Sequence, residues 1–230
     1  MKKILALFIG LLSTVSAFSQ IDEDQAGAWY MYFFNGKFGE SKFGFQGDIQ
    51  YRNWNLAGDL EQLLLRGGLT FQPANSGAVF TLGYGNIASG VMGDDDTNSL
   101  EHRIYQEVLL PHNPLKRIFL THRYRYEQRF VENQDFRTRY RYSLFMNVPL
   151  NKEKVEKQAL YFAFYNELFI NGQRDIGNGN KVEIFDRNRT YFGLGYGISE
   201  KLRMQAGWMS QNTENWSKGQ FQLSLHHRIF

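Results

Sequence analysis

A two-residue period runs through nearly the whole chain and restricts its fold more than any other feature. Phe43, Phe45, Ile49 and Tyr51 share one parity, and Gln46, Asp48, Gln50 and Arg52 hold the other. Leu63, Leu65, Leu69 and Phe71 oppose Gln62, Arg66, Thr70 and Gln72; Ala78, Phe80, Leu82 and Tyr84 oppose Thr81 and two glycines. The pattern is clearest in the middle. Ile118, Leu120, Tyr124, Tyr126 and Phe130 alternate with Arg117, Thr121, Arg123, Arg125, Glu127 and Arg129. After a short break, Phe136, Tyr140, Tyr142, Leu144, Met146 and Val148 alternate with Arg137, Arg139, Arg141, Ser143 and Asn147. Successive side chains of a strand point to opposite faces, whereas a helix would spread these arginines around its circumference. The chain therefore reads as all-β, each strand having one apolar and one polar face.

Further strands are expected at 28–34, 99–110, 159–170, 184–197, 202–211 and 219–229. Most breaks carry turn chemistry: Asn35-Gly36, Pro73-Ala74-Asn75-Ser76-Gly77, Pro111-His112-Asn113-Pro114 and Pro149-Leu150-Asn151. Longer polar breaks fall at 89–98 and 171–181. Short turns on one side and long loops on the other are the habit of outer-membrane barrels. Direct reading gives about 11 strands. Single-chain bacterial barrels have an even number. The expectation is thus a transmembrane antiparallel up-and-down barrel of about 12 strands, with 10 as the alternative and the missing strand sought among residues 21–42.

The first residues read as an address. Met1-Lys2-Lys3 precedes an apolar stretch, 4–15, and Ala17-Phe18-Ser19 stands before Gln20. This is the pattern of a secretory signal peptide. It divides the chain into a signal peptide, 1–19, and one outer-membrane barrel domain, 20–230. With Lys2 and Lys3 removed, the 26 basic residues become 24 against 23 acidic ones, so the formal charge of +3 falls to about +1. Such a balance gives no reason to expect nucleic acid. The absence of cysteine excludes disulfides, thiolate metal sites and a cysteine nucleophile. A mean hydropathy of −0.45 excludes a polytopic helical membrane protein, and 16% aromatic content excludes a disordered chain.

Alternation alone does not say which face meets water. A secreted soluble ligand-binding barrel would turn the apolar face in, and a membrane barrel would turn it out. Strands of about 9–12 residues match the span of a tilted transmembrane strand. Trp29, Tyr51, Trp54, Phe71, Tyr84, Phe130, Phe136 and Tyr196 fall near strand ends, as in interfacial girdles. Phe230 ends the chain, one residue out of phase with Phe221, Leu223, Leu225 and Ile229. With lipid outside, the lumen is lined by Arg66, Glu101, Arg103, Glu107, Arg123, Arg125, Glu127, Arg129, Arg137, Arg139, Arg141, Glu167, Arg187 and Arg189, and Asp48 shares that face. The planar guanidinium fork pairs carboxylates at two points, so this set can brace a narrow lumen. Because arginine exceeds acid over 117–141, the same set can also line an anion-selective pore or an anionic-ligand pocket.

Several stretches resemble the DUF2490 family of Gram-negative outer-membrane proteins. They are Ala28-Trp29-Tyr30, Gln50-Tyr51-Arg52, Leu65-Arg66-Gly67-Gly68, Glu101-His102-Arg103-Ile104-Tyr105-Gln106 and His122-Arg123-Tyr124-Arg125-Tyr126-Glu127-Gln128-Arg129-Phe130, continued by Arg139-Tyr140-Arg141, Tyr165-Asn166-Glu167, Phe185-Asp186-Arg187-Asn188-Arg189 and Gly193-Leu194-Gly195-Tyr196. The resemblance covers nearly all the mature chain. It implies an outer-membrane barrel of unknown activity and carries over no catalytic residue.

Other chemistry finds little support. The histidines are His102, His112, His122, His226 and His227; no Gly-x-Ser-x-Gly elbow accompanies them, and His122 and Glu127 have opposite parities. Asp94-Asp95-Asp96 follows Gly93 instead of alternating with other oxygen ligands, unlike a calcium loop. Gly177-Asn178-Gly179-Asn180 lacks the Lys-Ser/Thr of a phosphate loop. The expected protein is a non-enzymatic outer-membrane barrel without a cofactor, structural or forming a small pore. Its partners are outer-membrane lipid, the barrel-assembly machinery and a small anionic solute. A rim hydrolase is the rival reading.

Overall fold

The computed structural model describes residues 22–93 and 97–230. The signal peptide expected at 1–19 and the Asp94-Asp95-Asp96 run lie outside these described residues. Eleven strands follow in order: β1 (Gly27–Lys37), β2 (Phe43–Asn53), β3 (Leu60–Phe71), β4 (Val79–Gly90), β5 (Asn98–Leu115), β6 (Ile118–Val131), β7 (Arg137–Pro149), β8 (Leu160–Asn171), β9 (Phe185–Gly197), β10 (Leu202–Asn212) and β11 (Ser217–Arg228). Each pairs antiparallel with the next, and the sheet closes on itself. The closing pair is different. β1 and β11 run parallel, from Gly27 opposite Gln220 to Asn35 opposite Arg228.

The count corrects the expectation of 12 or 10: the described residues form 11 strands. Residues 22–42 supply β1 alone. Asn35-Gly36, expected as a turn, is strand, and the chain reverses further on, where Phe38 N donates to Phe43 O at 3.0 Å. Residues 22–26 form no strand; Lys218 Nζ holds them by donating to the carbonyls of Asp22 and Gln25. With an odd number of alternating strands, the first and last must run the same way. The Pro111-His112-Asn113-Pro114 turn is also corrected. Both prolines lie within β5, Pro111 opposite Thr121 and Pro114 in the irregularity between His112 and Leu115, and the reversal occurs at Lys116-Arg117. Proline is tolerated at such strand margins because little of the hydrogen-bond ladder depends on it there.

The odd count sends the two termini out of opposite ends. The N-terminal end carries residues 22–26 and the connections β2–β3, β4–β5, β6–β7, β8–β9 and β10–β11; the C-terminal end carries the other five. Long and short connections are not cleanly segregated, since β7–β8 (150–159) lies among the short turns of the C-terminal end.

The period of two settles the faces. Leu69, Leu82, Tyr140, Phe192 and Leu194 stand exposed on the outer surface, while Asp48, Arg66, Glu107, Arg125, Glu127 and Arg141 are buried within. The barrel is therefore inverted relative to a soluble one. Trp29 departs from its expected girdle position: its side chain is buried in the lumen and Tyr30 faces outward. β1 has aromatic residues at both parities, so alternation could not assign it. Inside, two aromatic rings lie flat over glycines of the neighbouring strand. A Cβ added at Gly83 would overlap the Tyr105 ring, and one at Gly195 would overlap Tyr161. Gly83→Val should lower stability by about 1–3 kcal/mol through overpacking, read as a lower temperature for the heat-induced mobility shift on gels. Gly67→Val, where an added Cβ meets nothing within 4 Å, is the comparison and should leave that temperature unchanged.

Candidate functional site in the barrel lumen

Strand register builds the charged interior directly. Asp48 lies opposite Arg66, Glu107 opposite Arg125, Glu127 opposite Arg139 and Glu167 opposite Arg189. Facing side chains on neighbouring strands stand within reach of one another, so opposite charges there can pair. Most carboxylates serve more than one cation. Glu101 accepts from Arg103 Nε at 2.6 Å and from Arg129 Nη2 at 2.9 Å. Glu127 accepts two bonds from Arg139, at 2.9 and 2.7 Å, and a third from Arg141 Nη1 at 2.6 Å. Glu167 takes Arg141, Arg123 and the Ser143 hydroxyl. Glu107 joins Arg125 to Gln46, Asp48 binds Arg66, and Asp186 bridges Arg139 to Arg187. The guanidiniums also lie over aromatic faces, Arg125 at 4.3 Å from the Tyr105 centroid and Arg141 at 4.5 Å from that of Phe169. Desolvation of this many charges is offset because nearly every acid is bonded at two or more points.

All 14 residues expected in the lumen face inward. Arg123 and Arg187 are half-buried and the other 12 are buried. They do not all act alike. Arg187 pairs with its chain neighbour Asp186, and Arg137 and Arg189 have no described carboxylate partner.

Toward the N-terminal end the lumen is filled. Trp29, Arg52 and Leu64 come from β1, β2 and β3; Ile87, Arg103, Glu127 and Arg139 follow from β4 to β7; Phe169, Arg189, Gln211 and Gln220 complete the circuit from β8 to β11. Each lies opposite the next or within two residues of doing so. None is more than 5% exposed. Every strand thus contributes one buried side chain to a packed layer, a septum, across this end of the lumen.

On the other side of this septum is a chamber of about 350 Å³. Its lining runs from Trp29, Arg52 and Arg189 at the septum to Asn35, Asn147, Arg203 and His226. A second space of about 280 Å³ shares Phe33, Asn35, Arg203 and His226 and is bounded by residues 199–201 of the β9–β10 turn and by Val155 and Glu156. The chamber therefore leads toward the C-terminal end.

Sequence reasoning missed four participants. Arg52 was legible as a polar-face residue but was not grouped with the network. Trp29 receives the guanidinium of Arg52 at 3.8 Å and that of Arg189 at 4.7 Å, and gives its indole N–H to Glu61 at 2.7 Å. Ser224 and His226, two apart on β11, form a hydroxyl–imidazole pair at 3.0 Å, with the imidazole stacked on Phe33. The Ser-x-His spacing was present in the sequence. No described carboxylate bonds that imidazole, so the orienting member of a hydrolytic triad is missing among the described residues. The other histidines lie on the outer surface, where His102, His122 and His227 each bond a tyrosine: Tyr84, Tyr142 and Tyr32. Gly177-Asn178-Gly179-Asn180 is a left-handed turn folded onto the β6–β7 connection, with Asn178 Nδ2 donating to Asn133 O.

The chain belongs to the DUF2490 family, described as proteins of unknown function, whose model matches residues 26–222. An uncharacterised protein of Methylorubrum extorquens is 27% identical over 184 residues, 77% of either chain. A solved structure titled NanC porin superposes with a TM-score of 0.55 at 9% identity, covering 88% of this chain and 98% of that one. The likeness to the porin is one of fold.

Removing one member of a buried pair leaves its partner unpaired, which costs about 3–5 kcal/mol. Glu127→Gln, which takes the charge away from Arg139 and Arg141, should therefore sharply lower the urea midpoint of the folded barrel. Glu153→Gln, whose exposed pair with Lys116 lies outside the lumen, should leave the midpoint within error.

Proposed function

We propose that this DUF2490 barrel is exported through a cleaved signal, placed by the assembly machinery in the outer membrane of a Gram-negative bacterium, and works there as a closed barrel with a one-ended chamber. The inverted faces support a lipid surround, because a belt of exposed apolar side chains around the outside of a closed barrel is stabilised by hydrocarbon and not by water. The septum supports closure. It is the observation that favours a structural or solute-holding role over a free diffusion pore. The reading includes no catalysis and no cofactor.

Cell fractionation and planar-bilayer recording test the two halves separately. The protein should pellet with outer membranes and show a heat-modifiable gel shift; recovery in the soluble periplasm would reject the membrane placement. In bilayers the wild-type barrel should pass no steady current. The double variant Arg139→Ala/Arg141→Ala, which thins the filled layer, should conduct. A steady ohmic current from the wild type would reject closure.

A further inference from the structure

The two walls of the chamber are unlike. Seven arginines and three carboxylates line it. All three carboxylates, Asp48, Glu107 and Glu167, are engaged by Arg66, Arg123, Arg125 and Arg141 on the β2–β8 side. The remaining arginines, Arg52, Arg189 and Arg203, have no described carboxylate partner. They face a wall in which the inward residues of β10, β11 and β1 include no acid. Glu61, nearby on β3, accepts from Trp29 Nε1 and Gln220 Nε2.

The donors beside this wall are satisfied only in part: Arg52 gives Nε and Nη2 to Gln50 and Nη1 to Gln62. Arg189 gives Nε to Gln211 at 2.6 Å, and its two terminal nitrogens donate to no described group. Gln222 is 2% exposed; its oxygen accepts from Tyr165 while its Nε2 is buried without a partner. Arg52 and Arg189 share the Trp29 ring, so two like charges are held near each other in an enclosed space. Such a pair is unfavourable at low dielectric, and the carboxylates that lie near it, Glu61 by Arg52 and Glu167 opposite Arg189, are hydrogen-bonded to other groups. Flat apolar surface lies alongside in the stacked Tyr165–Tyr191 rings, 5.0 Å apart.

We propose that the chamber binds a small organic anion, a carboxylate or phosphate ester with a flat body. Arg189, Arg52 and Gln222 take the anionic group, the Tyr165–Tyr191 stack takes the body, and entry is from the C-terminal end. The fork of arginine fits both oxyanions, and the volume suits a small ligand. The proposal rests on the closed-chamber reading.

The test is titration calorimetry on the full-length barrel folded in detergent, with benzoate and phenyl phosphate as probes and benzyl alcohol as the neutral comparison. Saturable binding of at least one anion is expected, with none of the alcohol, weakening as salt rises. Arg189→Gln should lose at least about tenfold in affinity. Gln222→Met, close to the native shape, should also weaken binding and serves if Arg189→Gln does not fold, as judged by the gel shift. Arg174→Gln, on the exposed β8–β9 connection, should bind as wild type. The proposal is overturned if the folded wild type binds neither anion, if it binds the alcohol equally, or if both lumen variants bind unchanged. Any of these results leaves the closed-barrel reading, and the expectation of no wild-type current, untouched. A steady wild-type current would instead remove the chamber itself, so the two failures are distinguishable.

Discussion

A charged side chain turned into a narrow closed barrel cannot recover its hydration and must find its counter-charge across the lumen or on the next strand. That requirement organises this structure. It explains why carboxylates are shared: Glu127, buried completely, takes bonds from both Arg139 and Arg141, and Glu167 takes Arg141 in turn. It also makes strand register consequential, because a slip of one residue would carry the arginines of β6 and β7 outward and bring Tyr126 and Tyr140 in.

The same requirement divides the lumen. On the β2–β8 side of the chamber acids and arginines pair with one another. On the side closed by β10, β11 and β1, glutamines and aromatic rings take their place. Aromatic residues therefore have two roles. Outside they form the apolar belt; inside, Trp29, Tyr105 and Phe169 provide faces for guanidiniums that cannot all be paired with carboxylates.

Much of this was legible from parity. On β6 and β7 apolar and charged residues separate cleanly, and the sequence names both faces and the network between them. It failed where parity carried no contrast. β1 places Trp29, Met31 and Phe33 on one face and Tyr30, Tyr32 and Phe34 on the other, so the inward tryptophan could not be told from a girdle residue. Direct reading gives about 11 strands, as the described residues form, and the rule of even numbers is what shifts the expectation to 12 or 10. The septum was out of reach for a different reason: its members come from every strand, and their common level depends on stagger that no local pattern encodes. The chamber is also non-local, since it exists because Arg52 and Arg189 meet at Trp29 from strands far apart in sequence.

The parallel seam has a consequence for the order in which the barrel forms. Every other strand pair joins chain neighbours, but β1 meets β11 only after almost the whole chain is in place. Closing a loop of that length is entropically the most demanding step, and parallel pairing returns slightly less per residue than antiparallel. Until then Trp29, on one margin, and Arg189, two strands in from the other, are apart on an open, curled sheet, and the arginines of the lumen remain wet. Dehydration of the interior is deferred to a single late event, so the cost of burying its charge falls on the closing transition and not on the sheet that precedes it.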